Sequence, residues 1–161
     1  MLKINVKQFG VVLFAIASVL AVGGSNTSKL HAKSRGCTNA ALKGGYGAGT
    51  TGLINSSSNP SDVTIPTFVP FAEAASFSFD GAGNLSGTST ADYGGSSFPV
   101  VFTGTYSVNS NCTGSMTVDA GVNGIIHRDL VLVDGGKEVE FVDTDPGFVI
   151  AGSMKKQQAE E

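Results

Sequence analysis

The sequence predicts an all-β fold, an antiparallel eight-stranded up-and-down β-barrel. Three observations carry that expectation. From Phe71 to Met154, apolar and polar residues alternate with a period of two, the mark of strands with one buried face. Short clusters of Gly, Asn and Asp separate these runs at turn-like intervals. No helical periodicity longer than a turn is present. Consecutive strands joined by tight turns form a meander, and eight of them can close so that no edge is left free. A β-sandwich is the alternative, because strand spacing alone does not separate the two.

The first strand is expected at Ala41 to Asn55. Its bulky phase is Leu42, Tyr46 and Ile54, diluted by Gly44, Gly45, Gly47, Gly49 and Gly52. Glycine at this density weakens a strand unless the chain bends sharply or another backbone comes close, as barrel closure requires. A glycine-rich linker is the other reading. Ser56 to Pro70 carries three prolines and reads as the longest loop of the domain.

From Phe71 the pattern is regular. Phe71 to Phe79 places Phe71, Glu73, Ala75, Phe77 and Phe79 on one face. Asp80 to Asn84 is a turn, and Leu85 to Tyr93 is the return strand. Gly94-Gly95 leads into Phe98 to Val108, whose buried phase is Phe98, Val100, Phe102, Tyr106 and Val108. After Asn109-Ser110-Asn111, Cys112 to Val122 continues with Cys112, Met116, Val118 and Val122 on one face. Asn123-Gly124 is a strong hairpin dipeptide. It leads to Ile125 to Val133, the Asp134 to Lys137 turn, Glu138 to Asp143, the Thr144 to Gly147 turn and Phe148 to Met154. The organisation is then a signal peptide and flexible leader over 1–32, one barrel domain over 37–154, and a solvated charged tail over 155–161.

The leader assignment rests on Lys3 and Lys7, followed by an uncharged apolar run of 13 residues from Gly10 to Val22. That run is short for a membrane span, which needs about 20 residues, and suits a signal-peptide core. An uncleaved anchor is the alternative. The expected product is secreted or periplasmic, starts between residues 22 and 33, and has no transmembrane segment after signal removal. It keeps 7 Lys and Arg against 13 Asp and Glu. An acidic chain without a basic cluster is a poor nucleic-acid binder.

Two cysteines in an exported chain most simply pair, here Cys37 with Cys112. A metal site or a catalytic thiol are weaker options, since His31 and His127 are distant and no base is visible nearby. No metal and no cofactor is expected. Asp80 to Asn84 and Asp143-Thr144-Asp145 hint at calcium loops but lack the ligand count.

Candidate chemistry is sparse. Glu73 shares its face with three phenylalanines, so it could sit in the interior as an acid or base. The expectation is nevertheless that it lies in water at the barrel mouth; pairing with Arg128 or Lys43 is a further option. His127 and Asp129 share one face of the sixth strand. The opposite face, Ile126, Arg128, Leu130 and Leu132, is greasier, so His127 and Asp129 should look outward.

Several of these segments carry a resemblance. C…ALKGGYG, FDGAGNLSG, GTYSVNSNCTGSM and VLVDGGKE…TDPGFVIAG, in that order, resemble a group of uncharacterised exported bacterial proteins across most of residues 37–154. The resemblance implies no catalytic residues. The meander is also similar in architecture to calycin and allene-oxide-cyclase-like barrels, a class that hosts many functions. Two functions therefore stay open: an exported barrel that binds a small apolar ligand or a partner surface, or a cofactor-free isomerase or cyclase using Glu73 or His127. Oligomeric state is not encoded in any pattern found.

Overall fold

The computed structural model describes residues 36–56 and 67–158. The leader, the middle of the Ser56 to Pro70 loop and the last residues of the tail lie outside them. Alternation produces eight strands: β1 (Gly44–Asn55), β2 (Phe68–Phe79), β3 (Asn84–Tyr93), β4 (Ser96–Val108), β5 (Thr113–Asp119), β6 (Ile125–Val133), β7 (Glu138–Asp143) and β8 (Phe148–Lys156). Each pairs antiparallel with the next, and β1 pairs with β8 from Tyr46↔Lys156 to Ile54↔Phe148. That last pairing closes the barrel and excludes the sandwich.

Closure depends on side chains that are missing. A Cβ on Gly52 would land on the Val149 carbonyl oxygen of β8, so only glycine lets the closing strands approach there. On Gly87 it would strike the Ser76 carbonyl oxygen and the Phe102 ring, so an inward aromatic of β4 takes the space that β3 leaves open. The glycine-rich first strand is thus a sheet component rather than a linker.

One end of the barrel is filled. Phe77 and Phe102 approach at 4.7 Å between ring centroids, and Phe79 packs edge-on to Tyr46 and Tyr106 at 5.3 and 5.0 Å. A 3-10 turn, Asn39–Leu42, caps this end, with Leu42 fully buried. The Tyr106 hydroxyl donates to the Asn39 carbonyl at 3.1 Å, and the Val108 N–H donates to Asn39 Oδ1 at 2.8 Å. The Tyr46 hydroxyl donates to the Gly136 carbonyl. Cys37 and Cys112 are joined by a disulfide, with Cα atoms 4.9 Å apart, which fastens the cap to the β4–β5 turn.

Several boundaries differ from expectation. β2 begins at Phe68 and runs through Pro70, whose carbonyl accepts the Gly94 N–H. Cys112 sits in the turn before β5 at a positive φ of 66°. β5 ends at Asp119, and Val122 is fully exposed rather than inward. The reason is local. Gly121–Asn123 forms a 3-10 turn closed by Ala120 N–H to the Gly124 carbonyl at 2.9 Å, and the positive φ values fall on Gly121 and Gly124, not Asn123. The Asn-Gly pair therefore ends a longer turn instead of making a two-residue hairpin. β8 extends to Lys156, so two residues of the expected tail belong to the sheet.

Candidate functional site

Among the described residues, no cap covers the other end of the barrel. The ends of β1 and β2 and the turns β3–β4, β5–β6 and β7–β8 surround its mouth, and inside it lies a cavity of about 320 Å³. Ile54, Phe71, Tyr93, Phe98, Ile126 and Phe148 form its upper wall. These are inward positions at strand ends, placed there by the same alternation that fills the closed end. Deeper in, Ala91, Val100 and Ile150 are joined by Glu73 of β2 and Arg128 of β6.

The charged floor is built by register. Arg128 and Asp143 are directly opposite each other on β6 and β7. Arg128 Nε donates to Asp143 Oδ1 at 2.6 Å, with the two side chains 3% and 1% exposed. Arg128 also stacks over Phe141, its guanidinium carbon 4.8 Å from the ring centroid. Glu73 approaches from β2. Its Oε2 stands 3.6 Å from Arg128 Nη2, close enough for attraction and too long for a hydrogen bond. Two carboxyl groups thus share one guanidinium. Burial pushes the Asp143 carboxyl above the usual range, against the opposing pull of Arg128 and with a further push from Glu73.

This floor is under-satisfied. Glu73 Oε2 and Asp143 Oδ2 are buried without a hydrogen-bond partner, as are the hydroxyls of Thr50 and Ser89. Thr50 faces Glu73 in register across β1 and β2. Unpaired polar atoms in an apolar setting are costly, and they mark places where a bound group can add hydrogen bonds.

The sequence candidates separate cleanly. Glu73 is inside, not in water at the mouth; its side chain is 11% exposed and its partner is Arg128, while Lys43 lies beside Gly81 at the closed end. The mouth expectation fails because β2 starts three residues earlier than its alternation suggests, which moves Glu73 inward along the strand. His127 and Asp129 face outward, as expected. His127 Nδ1 meets Asp145 Oδ1 at 2.8 Å, and its backbone N–H donates to Asp145 Oδ2 at 2.7 Å. Partial burial raises the Asp145 carboxyl, but these contacts outweigh it and hold the group below its usual value. Asp129 lies on the outer sheet beside Val131 and Val142. Neither reaches the cavity. Asp143 is the residue sequence reasoning missed as a site member. Its signal was the alternation Val139, Phe141, Asp143, obscured by the turn-like DTD run.

The calcium hint at Asp80 also resolves. Its Oδ1 accepts the N–H groups of Ala82, Gly83 and Asn84, and its Oδ2 accepts from Asn84 Nδ2 at 2.6 Å. These bonds, the Asn84 side chain first, lower its pKa to about 2. The carboxylate is spent on its own turn. Among the described residues no group of three or more His, Cys, Asp or Glu is placed to hold a metal, and no helix is long and apolar enough to cross a membrane.

No family model and no curated protein matches the chain. A solved structure of a redesigned β-barrel is similar, at 14% identity over 76% of this chain and 97% of that one, with a TM-score of 0.52. At this identity the likeness is one of fold alone.

Proposed function

We propose that this protein is an exported barrel that binds a small apolar molecule in the open-end cavity. The observation that carries the reading is the asymmetry of the interior: one end is packed and capped, and the other is a chamber of about 320 Å³ walled by aromatic and aliphatic side chains. Export is supported by the leader pattern and by the disulfide, which persists in oxidising compartments. The test is titration with N-phenyl-1-naphthylamine, a neutral probe that brightens in apolar surroundings. We expect saturable fluorescence with the folded protein and its loss in Ala91→Phe, which fills the chamber from a buried lining position. Equal signal from both proteins would place the probe elsewhere and remove the cavity from consideration.

A second reading is a cofactor-free isomerase or cyclase. The observation favouring it is a pair of carboxyl groups beside one guanidinium within an apolar chamber, an arrangement able to move a proton. In this reading Glu73 and Asp143 are the proton-transfer groups, and His127 drops out because it faces solvent. Turnover of an apolar epoxide or enone that is lost in both Glu73→Gln and Asp143→Asn would support it; binding without turnover favours the first reading.

A further inference from the structure

The charge balance of the cavity floor says what kind of molecule would fit. Among the described residues that line the chamber, Arg128 is the one cation, and it faces two carboxyl groups, Glu73 and Asp143. Its Nε–H is committed to Asp143 Oδ1, and its Nη2 stands beyond hydrogen-bond range of Glu73. With both carboxyls ionised the floor carries one uncompensated negative charge. Asp143 is 99% buried by its side chain, lines the cavity, and keeps Oδ2 without a partner; Glu73 Oε2 is in the same condition. The fully buried atoms of this floor that lack a hydrogen-bond partner are carboxyl oxygens, which can only accept when ionised, and the guanidinium they face is already shared between them. An anionic head group would meet like charge in a low-dielectric chamber, where repulsion is strongest. A head group that donates several N–H bonds and brings one positive charge would satisfy both unpaired carboxyl oxygens and neutralise the floor. The chain's net charge of −3 favours the approach of a cation as well.

We infer that the chamber selects an apolar amine, a small hydrophobic molecule whose single protonated amino group docks between Glu73 and Asp143. This rests on the cavity-binding reading above and adds the head-group chemistry to it. Arg128 then acts as a positioning residue. It holds Asp143 by its Nε bond and keeps the two carboxyls from needing more than one further positive charge. The apolar walls take the body of the ligand.

The experiment displaces N-phenyl-1-naphthylamine from the full exported chain with three molecules of the same body, octylamine, octanol and octanoate. Octylamine should displace the probe at about a tenfold lower concentration than octanol, the scale of one added charge-assisted pair, and octanoate should be weakest. In Glu73→Gln, which removes one carboxylate and leaves the Arg128–Asp143 bond in place, octylamine should lose that advantage while octanol is unchanged within about twofold. Octanol or octanoate binding as tightly as octylamine would overturn the amine inference while leaving cavity binding intact. If none of the three displaces the probe, or the probe itself does not bind, the cavity reading falls and takes the inference with it. The comparison on the unmodified protein decides the matter even if Glu73→Gln folds poorly.

Discussion

The two ends of the barrel solve the same problem differently. Both are made of inward-facing residues supplied by strict alternation. At the closed end five large aromatic rings, Leu42 and the 3-10 cap leave no room, and the polar groups they bury find partners: both tyrosine hydroxyls donate to backbone carbonyls. At the open end the walls are equally apolar, yet two buried carboxyl oxygens of the cavity lining, Glu73 Oε2 and Asp143 Oδ2, lack partners. The difference teaches where stability and function divide. A fully satisfied, close-packed end contributes fold stability. An end that leaves charged oxygens unpaired gives up stability, and such a deficit is the usual mark of a site.

The sharpest way to break this comparison is to cut the fastening of the closed end. Cys112→Ser removes a cross-link between residues 75 apart. It should lower unfolding stability by about 4 to 5 kcal/mol on the chain-entropy model, seen as an earlier denaturant midpoint with little change in slope. Probe binding at the open end should persist wherever the variant is still folded. Loss of binding in a folded Cys112→Ser protein would mean that the two ends are not independent.

A somewhat smaller effect is expected at the floor. Arg128→Met leaves two buried carboxyl groups without their cation and should destabilise the fold by about 3 to 4 kcal/mol. A change under about 1 kcal/mol would show that water reaches these groups freely. Glu73→Gln is the counter-experiment. It turns a two-to-one cluster into a one-to-one pair, so stability should hold or rise by up to about 1 kcal/mol. A loss of several kcal/mol would recast Glu73 as a structural ion-pair partner.

The smallest effects are in pH dependence, and their signs oppose each other. Asp80, at a closed-end turn, has its pKa lowered to about 2 from 3.8. Its contribution is present above the unfolded value and fades as pH falls toward 2. Asp143, on the open-end floor, has its pKa raised, by burial first, with Arg128 opposing and Glu73 and Asp145 adding to it. Its contribution is present below the unfolded value and is lost as pH rises through the folded one. Carboxyl carbon NMR titration should therefore place Asp80 below the ordinary aspartate range and Asp143 above it. The reverse order would contradict the assignment of a satisfied end and a deficient one.

Much of the fold was readable before any coordinates. β6 and β7 have the same bounds in sequence and structure, because alternation there is unbroken and glycine or acidic turns flank both strands. The outward position of His127 and Asp129 followed from the greasier opposite face. What could not be read is which end stays open. That depends on Asn39–Leu42 folding over one mouth and on Phe102 filling the space left by Gly87, both matters of packing between strands distant in sequence. Glu73 shows the limit most clearly. Its face was readable, but its burial is decided by how far β2 extends and by Arg128, 55 residues further along. Asp143 was placed in its strand, but its role in the site was hidden because it depends on the register that sets it opposite Arg128.

The pairing of β1 with β8 also has a kinetic side. It joins the first strand of the barrel to the last, from Tyr46↔Lys156 onward, so closure must wait until nearly the whole domain has been made and the intervening seven hairpins have formed. Contacts this far apart in sequence place the protein among slow-folding topologies, on the millisecond-to-second scale. During that wait β1 is an open edge, and open edges recruit other chains. The strand left waiting here is GGYGAGTTGLIN, rich in glycine and poor in adjacent apolar residues. Such a segment makes a weak template for cross-chain zippers. The glycines that let the barrel close therefore also protect the chain in the interval before it does.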